Sequence, residues 1–482
     1  MKYLATFAII VLILQVGIVS GEESSSKRSD IIQYSKSADQ TVLDVRIKKK
    51  LEWLSDQKFG ALVSWGPCVE WGGVQSWLLS PEKKVRSWAR PDTFEPWILH
   101  KKDMKPFSAA YFDLYKQFDP RAFDSEKLAK TLKQAGVRYA GLTTKHHDGF
   151  CMFDTLTTDF KITSRQSPYA SHPKADITAD LYNSLRKEGL GTLCYFSKSD
   201  WHTPYYWNPQ FPVTTRDVNY DTQKHPDLWN KFKEYTYRQI KELMSNYGKM
   251  DILWLDGGQV RPPRMNIDME RIASMARSNH PDLLIVDRRA KSKYENYVTP
   301  EQHVPKKPIN TMWEACATIQ KGGWVWHKNA NFHSQQDLVH RLIRIVSDGG
   351  NYLIGIGPDA DGRLQPEVEE RLMAMGKWLT VNGEGIYNTR RGDFKKNRVN
   401  KDIVYTLSKD GQHAYMHLLA WPKGFLTVNS PIAIKEGSDI TMLGHETPLK
   451  WELKENTLIV DLSGFEKPCK HAWVFKLTLE KK

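Results

Sequence analysis

Cysteine is scarce. There are five in 482 residues (Cys68, Cys151, Cys194, Cys316 and Cys469), and none has CxxC or other metal-ligand spacing. Cys194 sits inside a strand-like run, and Cys68 and Cys151 lie just beyond two others, so free buried thiols are expected rather than a disulfide framework. No HxH or HExxH spacing occurs, and no Gly-rich phosphate fingerprint follows a predicted strand, so neither a metal nor a cofactor is expected. No Asn-x-Ser/Thr acceptor exists, which disfavours a glycosylated lysosomal protein. Long apolar runs are absent too. The stretch Phe7–Val19 falls short of the ~20 residues of a membrane helix. With one early lysine and small residues at Ser20-Gly21, 1–21 is expected to be a signal peptide of a secreted or periplasmic protein, without stable membrane insertion. Residues 22–44, rich in Ser, Lys and Glu at the start, are expected as a disordered lead-in.

The formal charge of +13 is spread along the chain. The dense basic clusters, Arg46–Lys50 and Lys395–Arg398, lie far apart and lack interleaved aromatics, which argues against a nucleic-acid partner. Oligomeric state is not legible.

Apolar runs at Phe59–Trp65, Tyr139–Lys145, Gly191–Phe196, Met250–Asp256, Leu283–Asp287, Ile309–Glu314 and Asn351–Gly357 alternate with helical patterns. Ser125 is expected to cap the helix before the second strand. This alternation predicts parallel strands with helices outside, a (β/α)8-like TIM barrel over 45–385. From Tyr387 short alternating segments separated by Gly, Pro and Asn predict a small antiparallel β-sandwich over 386–482.

Barrel chemistry gathers at the C-terminal ends of strands. Here those ends read Lys145-His146-His147-Asp148, Tyr195-Phe196-Ser197, Trp254-Leu255-Asp256, Asp287-Arg288 and Trp313-Glu314. Carboxylate, imidazole and guanidinium groups bond sugar hydroxyls, and indole faces cover a ring's apolar side. As metal ligands His146 and His147 look weak, because neighbours on a strand face opposite ways. A second acid is available at Glu301, in the Pro-bearing loop Val298–Gln302, 45 residues beyond Asp256. One carboxylate attacking or assisting while another protonates the leaving oxygen is the requirement of glycoside hydrolysis.

These segments, with Phe59-Gly60 to Trp65-Gly66, Lys145-His146-His147-Asp148-Gly149-Phe150, Thr299-Pro300-Glu301-Gln302 and Gly357-Pro358-Asp359-Ala360-Asp361-Gly362, resemble the ordered motifs of the family-twenty-nine glycoside hydrolases, the α-L-fucosidases. The resemblance implies a retaining enzyme with a fucosylated glycan as its substrate. Asp256 would be the nucleophile, and Glu301, held protonated, the acid and then the base. His146, His147, Trp77, Trp254 and Arg288 would bind fucose, with Trp313 at a further strand end and Tyr195 or Phe196 near the anomeric centre. The Thr-Pro-Glu-Gln motif is similar to the members that prefer α-1,3/1,4-linked fucose. Two positions depart from the family: a first-strand histidine is here Ser64, and a glutamate before the loop tryptophan is Ser76. Those changes keep open the same chemistry on a related sugar such as an α-L-galactoside. A non-catalytic glycan-binding protein is the reading from a different class.

Overall fold

The apolar run Ile252-Leu253-Trp254-Leu255 is buried along its whole length, and it lies inside a parallel sheet, paired with a strand on either side and covered on both faces. The computed structural model describes residues 45–392, 402–430 and 432–480. The expected signal peptide, the lead-in and the cluster Lys395–Arg398 lie outside the described residues.

Helix α1 (Val45–Gln57) precedes strand β1 (Phe59–Val63). A long excursion follows, then α2 (Ser125–Gln134), β2 (Tyr139–Lys145), α3 (Ile177–Lys187), β3 (Gly191–Ser197), α4 (Pro226–Asn246) and β4 (Ile252–Asp256). The barrel region continues with α5 (Met269–Asn279), β5 (Leu284–Asp287), β6 (Glu314–Thr318), α6 (Gln335–Ser347), β7 (Asn351–Ile356) and α7 (Pro366–Asn382). Asp124, not Ser125, caps α2 by accepting from the Lys127 N–H; the Ser125 hydroxyl instead meets Ser184 at 2.8 Å.

The sheet is a curled, seven-stranded parallel half-barrel in the order β5-β4-β3-β2-β1-β7-β6. The gap between its edges is occupied by 296–302. Asn296 N–H donates to Ile285 O on β5, and Val298, Pro300 and Gln302 exchange backbone bonds with Met312, Glu314 and Cys316 along β6. Pro300 has no N–H, so this segment cannot run as a regular strand. It nevertheless takes the place of an eighth.

Side chains alternate across the sheet. Leu62, Tyr139, Leu193, Tyr195, Ile252, Trp254, Val286 and Leu353 fill the interior, while Val63, Cys194, Phe196, Leu253 and Leu255 pack outward in the core shared with the helices. One expected strand moves. Ile309–Glu314 is not a strand, and β6 begins at Glu314, so Trp313 and Glu314 lie at the start of a strand rather than at its mouth. The Trp313 ring packs where a Cβ on Gly350 would come within 2.5 Å of it, which pins that turn to glycine.

The C-terminal part is a sandwich of a five-stranded and a three-stranded antiparallel sheet around its own core, including Met416, Val460 and Phe475. Strands at Thr389–Arg391, Phe425–Asn429 and Trp451–Lys454 were not legible, being short or largely exposed, and Ile432–Ile434 forms no strand. All five cysteines are free.

Candidate active site

Strand β2 stops at Lys145, so the pleat no longer applies to the two residues after it, and His146 and His147 both reach one cavity. This corrects the expectation that they diverge. Lys145 anchors the turn from below: its Nζ is 3.1 Å from Asp200 Oδ2, both side chains being fully buried, and 2.9 Å from Gln239 Oε1. Burial opposes ionisation of Asp200, but Lys145 and the Thr203 N–H outweigh it and hold its pKa down. Gly149 permits the close approach, since a Cβ there would lie 2.3 Å from Asp200 Oδ1.

His146 Nδ1 is 2.5 Å from Ser76 Oγ, and His147 Nδ1 is 2.5 Å from Ser197 Oγ and 2.9 Å from Ser199 Oγ. With each Nδ1 engaged by a hydroxyl, each Nε2 is left for the cavity. Burial, reinforced by His147, pushes the His146 pKa down to about 3, and burial pushes His147 to about 4, so both rings are neutral at pH 7. Ser76 therefore does not stand in for a longer acid reaching the sugar. Its hydroxyl orients His146 and accepts from the Asp148 N–H at 2.7 Å.

Strand β4 delivers Asp256 beside Ser197 of β3, and the register places Tyr195 next to Trp254. Those two rings stack at 5.2 Å. Tyr195 donates its hydroxyl to Asp256 Oδ2 at 2.7 Å, and burial raises the Tyr195 pKa so that it stays a donor. Phe196, next along the strand, faces outward under Lys145, whose Nζ is 4.3 Å from the ring centroid. The alternation thus selects Tyr195 and removes Phe196 from the site. Trp313 is likewise outside it, at the opposite end of the sheet. Glu314, also at that end, accepts from Tyr139, from Trp254 Nε1 at 3.2 Å and from Tyr297 at 3.5 Å; burial raises its pKa to about 7.

Arg288, just past β5, spans both acids. Its Nη1 is 3.2 Å from Asp256 Oδ1, and its Nη2 donates to Glu301 Oε2. Burial works against ionisation of Asp256, but Arg288, His147, the Tyr195 hydroxyl and the Gly257 N–H together hold its carboxyl far below the usual carboxylate range. Glu301 follows the same pattern, its burial outweighed by Arg288, so its pKa is also lowered. The expectation of a protonated Glu301 is thereby corrected for the resting site. A guanidinium against the carboxylate favours the charged form. Trp324 Nε1 faces Glu301 Oε1 at 3.3 Å.

Ser64, Trp77, His146, His147, Tyr195, Trp254, Asp256, Arg288 and Glu301 line one cavity of about 310 Å³. That is the small end of the ~300–1,000 Å³ typical of ligand pockets, room for about one sugar ring. Sequence reasoning missed Gln75, Trp324 and, on a cationic rim, Arg216, Arg261 and Lys291; Arg289 it placed at a strand end beside Arg288. Gln75 is 4% exposed, with φ 55° and a buried Nε2 that has no protein partner. Trp324 lies in a Gly322-Gly323-Trp324-Val325-Trp326 run, where paired glycines before two tryptophans were the available signal. Donor atoms of His146, His147 and Asp256 lie within 4.8 Å of one another and are the described group able to meet one cation; His202 stacks on Phe160 instead.

Residues 26–384 match the family model described as alpha-L-fucosidase, and 395–478 match the alpha-L-fucosidase C-terminal domain. The chain is 28% identical over 451 residues to the plasma alpha-L-fucosidase of Homo sapiens, covering 88% of this chain and 89% of that one. It is 27% identical over 442 residues to the tissue alpha-L-fucosidase of Rattus norvegicus, covering 88% and 89%. Among solved structures, alpha-L-fucosidase isoenzyme 1 from Paenibacillus thiaminolyticus superposes with a TM-score of 0.72 at 25% identity, covering 91% of this chain and all of that one. A covalent intermediate trapped in a fucosidase from Bacteroides thetaiotaomicron superposes with a TM-score of 0.71 at 24% identity, covering 92% and 97%, and shares the fold.

Proposed function

The chain belongs to the α-L-fucosidase family of glycoside hydrolases, and from that premise we propose that it is a retaining exo-α-L-fucosidase that removes terminal α-1,3/1,4-linked fucose from glycans by double displacement. The observation that carries the reading is the convergence of Asp256 and Glu301 on the single guanidinium of Arg288, at the mouth of a one-ring cavity.

Asp256, kept ionised and aimed by Tyr195 and Arg288, attacks the anomeric carbon while the bond to the leaving oxygen breaks. The leaving oxygen takes a proton from Glu301, which must first part from Arg288 and take up a proton from solvent water. Substrate entry supplies that exchange, because the sugar fills the water-accessible space beside the pair and desolvation favours the neutral acid. In the second half Glu301 removes a proton from water, the oxygen attacks the fucosyl ester, and Asp256 leaves as carboxylate. Neutral His146 and His147 each offer an Nε2 to ring hydroxyls; Trp77 and Trp254 supply the indole surfaces.

Support for the linkage preference is the Thr299-Pro300-Glu301-Gln302 segment, and support for export is the apolar run 7–19. The test is product analysis on fucosylated oligosaccharides of defined linkage. Release of fucose as the α-anomer first, faster from α-1,3/1,4 than from α-1,2 or α-1,6 linkages, is the expected result. First appearance of the β-anomer would overturn retention. Fractionation of expressing cells checks export, with activity expected outside the cytoplasm.

A further inference from the structure

Five cationic side chains (Arg216, Arg261, Arg288, Arg289 and Lys291) line the candidate cavity against two carboxylates, and both carboxylates are already taken up by Arg288. Arg216 has its own partner, Glu82, at 3.7 Å. The other three, Arg261, Arg289 and Lys291, are exposed, and among the described residues none of them is paired with a carboxylate. Unpaired surface cations ordinarily spread out and point into solvent; these three border one opening.

Their placement is built rather than incidental. Arg261 lies on the loop after β4, and Arg289 and Lys291 on the loop after β5. The two loops are closed on each other: Arg261 Nη1 donates to the Arg289 carbonyl at 2.6 Å, and a Cβ on Gly258 would lie 2.6 Å from Arg289 Cβ and 2.8 Å from Arg288 O. Arg289 and Lys291 both hold left-handed backbone, φ 60° and 55°. Few non-glycine residues adopt it, and it persists only where the surroundings impose it. The outcome is a cationic rim fixed on the Asp256 and Arg288 side of a cavity sized for one sugar. Whatever sugar carries the cleaved residue must lie beyond that opening.

We infer that the rim of Arg261, Arg289 and Lys291 is a subsite for an anionic group, a sulfate ester or a carboxylate, on the glycan adjoining the cleaved sugar, so that the enzyme selects acidic fucosylated glycans over neutral ones. This rests on the fucosidase reading given above. Guanidinium groups suit either anion, since both present oxygen pairs to a planar fork. The rim also steers acidic substrates to the mouth, an effect that falls with ionic strength.

Binding separates this inference from the activity it rests on. Dissociation constants of a neutral fucosylated oligosaccharide, its sulfated counterpart and its sialylated counterpart are measured by calorimetry on the Asp256→Asn protein, at about 20 mM and about 300 mM NaCl. The expected result is about tenfold tighter binding of at least one acidic glycan at low salt. That ratio should fall towards one at high salt, and towards one in a variant that also carries Arg261→Gln and Lys291→Gln. The sulfated and sialylated arms tell the two anions apart. Equal affinity for neutral and acidic glycans, or a preference that survives both substitutions, overturns the inference. Aryl fucoside turnover by the unsubstituted enzyme reports separately on the fucosidase reading, whatever the binding ratio.

Discussion

Glu301 rests as a carboxylate on Arg288, the same guanidinium whose other nitrogen lies 3.2 Å from Asp256. One cation therefore keeps two acids ionised in the resting site, although the proposed reaction needs one of them protonated. Arg288 lowers the pKa of both, so without its charge each takes up a proton at higher pH. In Arg288→Ala the acidic limb of kcat/KM is expected to move to higher pH, with a loss on the order of a hundredfold or more at its optimum. A pH–rate profile checks this, and an unmoved acidic limb would show that Arg288 does not set the ionisation of Asp256.

Asp256→Gly and Glu301→Ala separate the two roles. Asp256→Gly is expected to abolish hydrolysis. Glu301→Ala should lose about 10²–10⁴-fold, the usual worth of a general acid–base group. Azide needs no general base, so it should restore part of the Glu301→Ala rate and yield a fucosyl azide with retained configuration. Product NMR identifies the azide, and a fully active Asp256→Gly enzyme would exclude Asp256 as nucleophile.

Ser76→Ala tests the hydroxyl that orients His146. The hydroxyl serves His146 Nδ1 and accepts from the buried Asp148 N–H, so its loss strands both groups. An unsatisfied buried donor costs roughly 1–3 kcal/mol. Thermal unfolding should report that loss, and KM should rise more than kcat falls, because His146 is freed to rotate rather than removed.

The buried Glu314 gives a pH signature of its own. Its pKa in the fold is about 7, above the usual carboxyl value, so between about pH 4.5 and 7 the native state holds a proton that the unfolded chain releases. Stability from this group is therefore lost as pH rises through that window and levels off above 7, by on the order of 3 kcal/mol. Burial of neutral His146 and His147 acts oppositely, destabilising the fold as pH falls below about 6.5. Glu314→Gln removes the first effect and keeps the second. Urea unfolding at pH 5 and pH 8 should show the substituted protein gaining relative to the unsubstituted one at the higher pH.

The sequence by itself determined where Asp256 would be. A buried apolar run ending in an acid reads as an interior strand delivering its carboxylate to a mouth once it falls in register with the other strands of an alternating barrel, and the same logic placed His146, His147 and Arg288 after β2 and β5. It did not distinguish Tyr195 from Phe196, because alternation fixes that two neighbours diverge, not which faces inward; the pairing of Tyr195 with Trp254 across β3 and β4 decides it. Trp313 was misplaced because an apolar stretch before Glu314 reads like the strand that in fact starts at Glu314. Only the tertiary structure decided the rest. Glu301 gains its position by filling the sheet's open seam, through backbone bonds that tie its segment to β6 on one side and to Ile285 of β5 on the other. Its charge state, and the rim of Arg261, Arg289 and Lys291, arise where separate loops meet. Periodicity reports which face a residue shows, but an ion pair depends on distances that folding alone sets.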